Sequence, residues 1–466
     1  MINVISTVSD LDLDLVARVA WNGEPCELGE QALDALRLRR AEFENFVAAN
    51  QDRRLYGITT KHHLGAKTLL ESDARAEFSL RLPSTPATVG EPLPERLVRT
   101  IVLTRLSDVL NGTACLRPET AVRLVRMLDS KMPTVPTRGH GEPGDIIALG
   151  RLFRARFDGT LQLGEGMALI NGSPVAAAAL TDAALAGRRR VTVVERSLAL
   201  AAVAAEAPAD HFAPELGALW KDEHQEAALL SVHRLIERDR SSRYTSYQAP
   251  VSFRSGPRVA GWVRRAQAAA EECVRIALQA SSNNPVFVGP DVFPPDGAVL
   301  SNGGYHNPMI AATLDSLARA WADASQLVAS QVNRLVEDPA GLAATEPEAQ
   351  VSLLYMTSAG WAEEARAAAG SASLIGLGCG GQTDTGTPDL LAWKKATTAG
   401  EALDVNLSVL SIVAAHTIAS KGLDVPPNLS GFCAEVLTAF PVGTAPVDFA
   451  GRTSDVIKVL DQDAWQ

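Results

Sequence analysis

The 466-residue chain is poor in aromatic residues, 5% in all, and only five of them are tyrosines. With 46% hydrophobic residues and abundant alanine, its core must come from small side chains, which favours close helix packing over sheets. Cysteine is sparse as well. Cys26, Cys115, Cys273, Cys379 and Cys433 are odd in number and lack metal-ligand spacing, which excludes a disulfide framework and a zinc motif and fits reduced thiols in a cytoplasmic protein. No basic cluster exceeds Arg188–Arg190, and the formal charge of -11 argues against a nucleic-acid or anionic-membrane partner. The start MINVISTVSDLDLD has no basic lead and no long apolar run, so no signal peptide is expected. No run of about 18 apolar residues is free of charge, so no membrane span is expected either.

What is present reads as mainly α, with a mixed N-terminal domain over 1–195 followed by a bundle of long helices over 196–466. Leu33, Leu36, Phe43 and Val47 form one stripe of a helix over 29–49 that ends at Asn50. Helical patterns follow at 92–111 and at 118–130, the second opened by Pro118. Ile310, Leu314, Leu317, Trp321, Ala324, Val328 and Leu335 keep a three-four spacing to about Glu337, and further helices are expected near 348–371 and 389–420. Gly376, Gly378 and Gly381 match GxGxxG, but an alanine-rich helix precedes them and a Thr/Asp/Gly loop follows, so a dinucleotide site is not expected.

Chemistry gathers in two loops. In RLYGITTKHHLG, Gly57 frees the backbone while Thr59 and Thr60 offer hydroxyls to local amides; the segment reads as a turn or as a catalytic loop carrying Tyr56 with His62 or His63. The loop TRGHGEPGDIIALG, Thr137 to Gly150, leads into a helix that Asp145 is placed to cap, with its amides facing the loop.

That second loop resembles the one in the histidine and phenylalanine ammonia-lyase family, and the likeness runs from about Leu15 to about Leu390. The family's loop is G-A-S-G-D, whose Ala-Ser-Gly cyclises into the electrophile methylidene-imidazolone. Gly141, Glu142, Pro143, Gly144 and Asp145 stand there in this chain. Ring formation needs a hydroxyl to lose as water and a middle nitrogen free to become an imine. Pro143 has no hydroxyl, and its nitrogen is locked in the pyrrolidine. The reading is therefore an enzyme set apart from conventional ammonia lyases, with no cofactor and no metal.

Other segments resemble family motifs residue by residue. EGMALINGSPV places Asn171 on the family's asparagine. SSRYTSYQAP places Tyr244 on its tyrosine and Tyr247 where it has a carboxylate-binding arginine, with Arg254 nearby. QASSNNPVF keeps Asn284, and LSNGGYHNP keeps His306 beside Tyr305. Asp389 falls near the family's acidic pair. Tyr244, Tyr247 and Tyr305 lie in these segments and Tyr56 in the first loop, four of the five tyrosines in all, although a buried hydroxyl needs a partner that core packing alone would not require.

The resemblance implies a homotetramer with pocket residues from three subunits, Tyr56 as proton carrier, Tyr244, Tyr305 and Asn171 as catalytic groups, and Glu142 as an acid, a base or a turn residue. His62, His63, Tyr247, Arg254, Asn284 and His306 are the expected substrate contacts. Two readings follow. One is an electrophile-free lyase, cyclase or isomerase of specialised metabolism, acting by elimination, conjugate addition, isomerisation or cyclisation on a carbonyl- or thioester-activated small molecule, free or held by a carrier protein. The other is a non-catalytic binding or assembly subunit.

Overall fold

The computed structural model describes residues 2–62, 65–83, 87–141, 143–237, 247–338, 341–342, 348–374, 376–380 and 383–462. The expected helices form where the apolar periodicity placed them. The helix Glu30–Ala49 buries Leu36, Phe43 and Val47 and ends at Asn50. The helix Pro308–Val336 buries its three-four stripe. Pro118 opens the helix Pro118–Arg126, where its missing N–H costs nothing. Strands are short and pair in twos: Asn3–Ile5 runs parallel to Cys26–Leu28, and Val286–Val288 runs antiparallel to Ala298–Leu300. Gly376–Gly380 pairs antiparallel with Thr383–Gly386, so the described part of the glycine-rich stretch is one arm of a hairpin; Gly381 lies outside the described residues.

Backbone packing divides the chain into two units. The first comprises Met1–Leu185, Ala270–Thr313 and Ala372–Trp393. Its cluster of Phe43, Phe46, Val47, Leu55, Ile58, Cys115 and Phe287 is closed by an edge-on contact of Phe43 with Phe287, centroids 5.6 Å apart. The second comprises Ala186–Ala269, Leu314–Ser371 and Lys394–Gln466. There the Arg190 guanidinium lies over Trp321 and grips Asp404 at 2.6 and 2.8 Å, while Ser197 and Ser411 share a buried hydrogen bond.

Two helices, within Glu165–Ala204 and Asp389–Lys421, are by length and composition alone long and apolar enough to cross a bilayer. Their apolar windows are 100% and 83% buried inside the protein, as in core helices of a folded domain.

Candidate functional site

The Tyr56 loop is shaped by its neighbours. Leu55 and Ile58 are buried in the Phe43 cluster, each contributing about 1.5–3 kcal/mol of apolar burial. Between them the chain turns through Gly57 at φ +65°. The threonines act on local amides as their positions suggest: Thr59 Oγ1 accepts from the Leu55 amide at 2.8 Å, and Thr60 Oγ1 from the Gly57 amide at 3.4 Å. A Cβ on Gly57 would come within 2.5 Å of Met167 Cγ, so this turn lies flat against the six-residue helix Glu165–Ile170. Tyr56 itself is half-buried.

The same short helix ends at Asn171, and Asn171 meets the second loop. Its Oδ1 lies 2.7 Å from where a Cβ on Gly144 would be, and the Gly172 amide donates to the Gly144 carbonyl at 3.2 Å. Met167 and Asn171 are four residues apart, about 6 Å along a helix axis. One element thus brings the Tyr56–Gly57 turn and the Pro143–Asp145 turn together. Asn171 is 4% exposed, and its Oδ1 has no hydrogen-bond partner.

The cap expected of Asp145 forms elsewhere. Asp145 sits at φ +54° and does not cap its own helix, Ile146–Phe157; its Oδ2 accepts from the amides of Val175 and Ala176 at 2.8 and 3.3 Å. It therefore satisfies the start of the helix Pro174–Ala204, because the left-handed backbone turns the carboxylate away from the amides that follow it. The buried Pro143 and Gly144 and the exposed Gly141 do not fit the methylidene-imidazolone ring: none carries a hydroxyl to lose, and the Pro143 nitrogen is tertiary.

Beneath the loop lies a buried network. Arg105 Nη1 donates to the Asn171 carbonyl at 3.1 Å, and its Nη2 pairs with Asp108. Asp108 Oδ1 accepts from the amides of Ser282 and Asn283 at 2.6 and 3.0 Å, and Ser282 Oγ accepts from the Ser173 amide at 3.0 Å. Burial pulls the Arg105 guanidinium down to about 9, against the pull of the Asp145 charge. This network ties the 281–285 and 171–174 segments together. Sequence reading passed over Arg105 and Asp108 as ordinary helical residues; the available signal was a charged pair at i, i+3 among Val98, Ile101, Val102 and Leu106.

The remaining candidates are placed as follows. Asn284 is buried and accepts from the Asn302 amide at 2.9 Å. Tyr305 and His306 are half-buried, and His306 Nδ1 has no hydrogen-bond partner. His62 lies against Phe78, rings 5.7 Å apart. Tyr247 and Arg254 belong to the second unit, where Tyr247 is 93% exposed and Arg254 is half-buried. His63, Glu142 and Tyr244 lie outside the described residues.

A family model described as aromatic amino acid lyase matches residues 11–156 and 158–438. A curated relative, histidine ammonia-lyase of Caldanaerobacter subterraneus subsp. tengcongensis, is 26% identical over 369 residues, 72% of this chain and 71% of its own length. Among solved structures, histidine ammonia-lyase from Trypanosoma cruzi superposes with a TM-score of 0.85 at 20% identity, covering 100% of this chain and 94% of that one. The ergothioneine-degrading ergothionase from Treponema denticola superposes at 0.84 and 15% identity, covering 99% and 98%. These superpositions show the ammonia-lyase fold. The curated similarity corrects the expectation of a lyase, cyclase or isomerase set apart from conventional ammonia lyases: over most of its length the chain is similar, at a distance, to a protein of that conventional kind.

Proposed function

The chain belongs to the aromatic amino acid lyase family, and on that footing we propose that it is an amine-releasing lyase. It takes a proton from one carbon of a small molecule and expels the amine from the neighbouring carbon, leaving a double bond. The observation that carries this reading is the short helix Glu165–Ile170, which holds the Tyr56 turn at Met167 and the Gly144 turn at Asn171.

Tyr56 is the proton carrier. An ordinary phenol titrates near 10, so the reaction needs a donor or positive dipole beside the Tyr56 hydroxyl, or a substrate whose C–H is already acidic. A carbonyl or thioester next to that C–H supplies the acidity, and this is the substrate class proposed. The unpartnered Asn171 Oδ1 offers an acceptor to the substrate's N–H groups. The protein works on a small molecule, as a cytoplasmic homotetramer.

The test is release of amine from L-histidine, L-tyrosine, ergothioneine and a β-amino thioester, by wild type and Tyr56→Phe. Turnover of at least one substrate is expected, with the variant slowed by about 10²–10⁴-fold and melting within about a degree of wild type. The β-amino thioester decides the substrate class. No release from any of them, or equal rates for the two proteins, defeats the proposal.

A further inference from the structure

The fold gathers on the first unit cations that the sequence scatters. Between Arg123 and Arg156 the chain has seven Lys or Arg residues against three Asp or Glu residues, in a protein of net charge -11. Arg123, Arg126, Lys131, Arg151 and Arg156 are exposed, on the helices Pro118–Arg126 and Ile146–Phe157 and the link between them. Their hydrogen bonds go to neutral oxygens. Arg123 lies 5.0 Å over the Phe157 ring and donates to the Arg156 carbonyl, Arg156 donates to the Lys131 carbonyl at 3.3 Å, and Arg151 to the Thr134 carbonyl at 3.2 Å. None of the five has an ion-pair partner among the described residues. Elsewhere the exposed Arg37, Arg275, Arg334 and Arg366 each face a carboxylate one helical turn away.

The acids nearby do not neutralise this face. Asp158 pairs with Arg154 at 3.5 Å and Asp145 serves Val175 and Ala176, which leaves the exposed Asp129 and Glu119. Balancing a helix end accounts for Arg123, which reaches a last-turn carbonyl. It does not account for Arg151 in mid-helix, or for Arg126 and Lys131, which make no hydrogen bond among the described residues.

An unneutralised basic face calls for an anionic partner, and its place says which kind. The helix Ile146–Phe157 leaves the Gly141–Asp145 loop, and it carries Arg151 about 8 Å and Arg156 about 15 Å beyond Ile146 along its axis. Cations at that remove lie past a small molecule seated at the loop, and within reach of a larger body that holds it on an arm. Spread over two helices and a link, they form a broad face rather than a ring around one phosphate, the form that an acidic protein surface matches. A thioester also needs a thiol to carry it. We infer that this face docks an acidic carrier protein, which presents the substrate to the Tyr56 and Gly144 turns as a thioester on a flexible arm. The inference rests on the thioester reading for its use, but its binding test needs no turnover.

The full-length protein would be titrated by fluorescence anisotropy with an acidic acyl carrier protein in its thiol-bearing form. Turnover would be compared for a β-amino thioester on that carrier and the same acyl group on N-acetylcysteamine, a small thiol. Saturable binding of the carrier is expected, weakening about tenfold as salt rises from about 50 to about 300 mM. Arg123→Glu with Arg151→Glu should weaken it about tenfold at low salt. Arg126→Glu with Lys131→Glu, which gives up no hydrogen bond, should do the same and keeps the test alive should the first pair fail to fold. Both pairs should lower kcat/KM for the carrier thioester by a similar factor and leave the small thioester unchanged. No saturable binding, binding indifferent to salt, or unchanged affinity in both pairs overturns the docking face. So does tighter binding of coenzyme A, duplex DNA or phosphatidylserine vesicles than of the carrier. Carrier binding without amine release from any substrate would defeat the proposed function and leave the docking face standing; release from the small thioester without carrier binding would do the reverse.

Discussion

Two aspartates in the first unit are almost equally buried and opposite in how they are served. Asp108, 1% exposed, accepts from Ser282 and Asn283 amides on one oxygen and from Arg105 and the Ser282 hydroxyl on the other. Asp389, 4% exposed, keeps one oxygen without a partner, and burial holds its carboxyl up at about 6. A carboxylate costs free energy to bury, and a fold that only needs to hold itself together surrounds it with donors, as at Asp108. At Asp389 part of that cost is left standing: the Thr387 hydroxyl serves the carboxyl, but Oδ1 has no partner.

The largest effect is expected from breaking the satisfied side of this comparison. Arg105→Met removes the cation from Asp108 and the donor from the Asn171 carbonyl at once. Loss of one partner of a buried pair typically costs about 3–5 kcal/mol, because the other charge stays buried. Urea unfolding should show a loss of that size, and Arg105→Met with Asp108→Leu together should recover part of it. A loss under about 1 kcal/mol would mean that the network does not hold the 171–174 and 281–285 segments.

Asp389→Asn should act in the opposite direction, with a pH window that identifies the cause. The unfolded carboxyl releases its proton near 3.8, whereas the folded one keeps it up to about 6. Between those values the folded state binds more protons, so stability falls as pH rises from about 4 to about 6 and the penalty stays constant above. That penalty is on the order of 3 kcal/mol. The asparagine variant should therefore melt a few degrees above wild type at pH 7.5 and level with it at pH 4. An equal difference at both pH values would show that ionisation of Asp389 is not its source.

The two aspartates also show how much could be read in advance. Helices such as Glu30–Ala49 and Pro308–Val336 were legible because burial follows a local period that the sequence carries openly. The two threonines after Gly57 were legible too, since their partners lie within five residues. Asp145 was not: its place before a helix suggested a local cap, but a left-handed backbone sends its carboxylate to amides about thirty residues on, at Val175 and Ala176. Arg105 and Asp108 were visible as a pair at i, i+3, yet their burial depends on Asn171 and Ser282, which only the fold brings near. His140 and Asp389 line one cavity from distant parts of the chain, so neither hinted at the other. Resemblance supplied Tyr56 and Asn171; the helix that joins their two loops came from the structure alone.

The smallest effect sharpens the comparison at Asn171, whose Oδ1 shares with Asp389 the lack of a partner. Gly144 sits at φ +80°, and a Cβ there would press on that oxygen at 2.7 Å. The backbone cost of an L-residue in this conformation is about 1–2 kcal/mol. Asn171 Oδ1 gives up no hydrogen bond by moving, so Gly144→Ala should cost little beyond this, while displacing the carboxamide and slowing turnover by more than the stability change accounts for. A double-mutant cycle with Asn171→Ala separates the two contributions: if the carboxamide lies over Gly144, the alanine at 144 should be cheaper in the Asn171→Ala background by about 0.5 kcal/mol or more. Strict additivity would place Asn171 away from the loop and remove the contact through which the Glu165–Ile170 helix joins Gly144 to the Tyr56 turn.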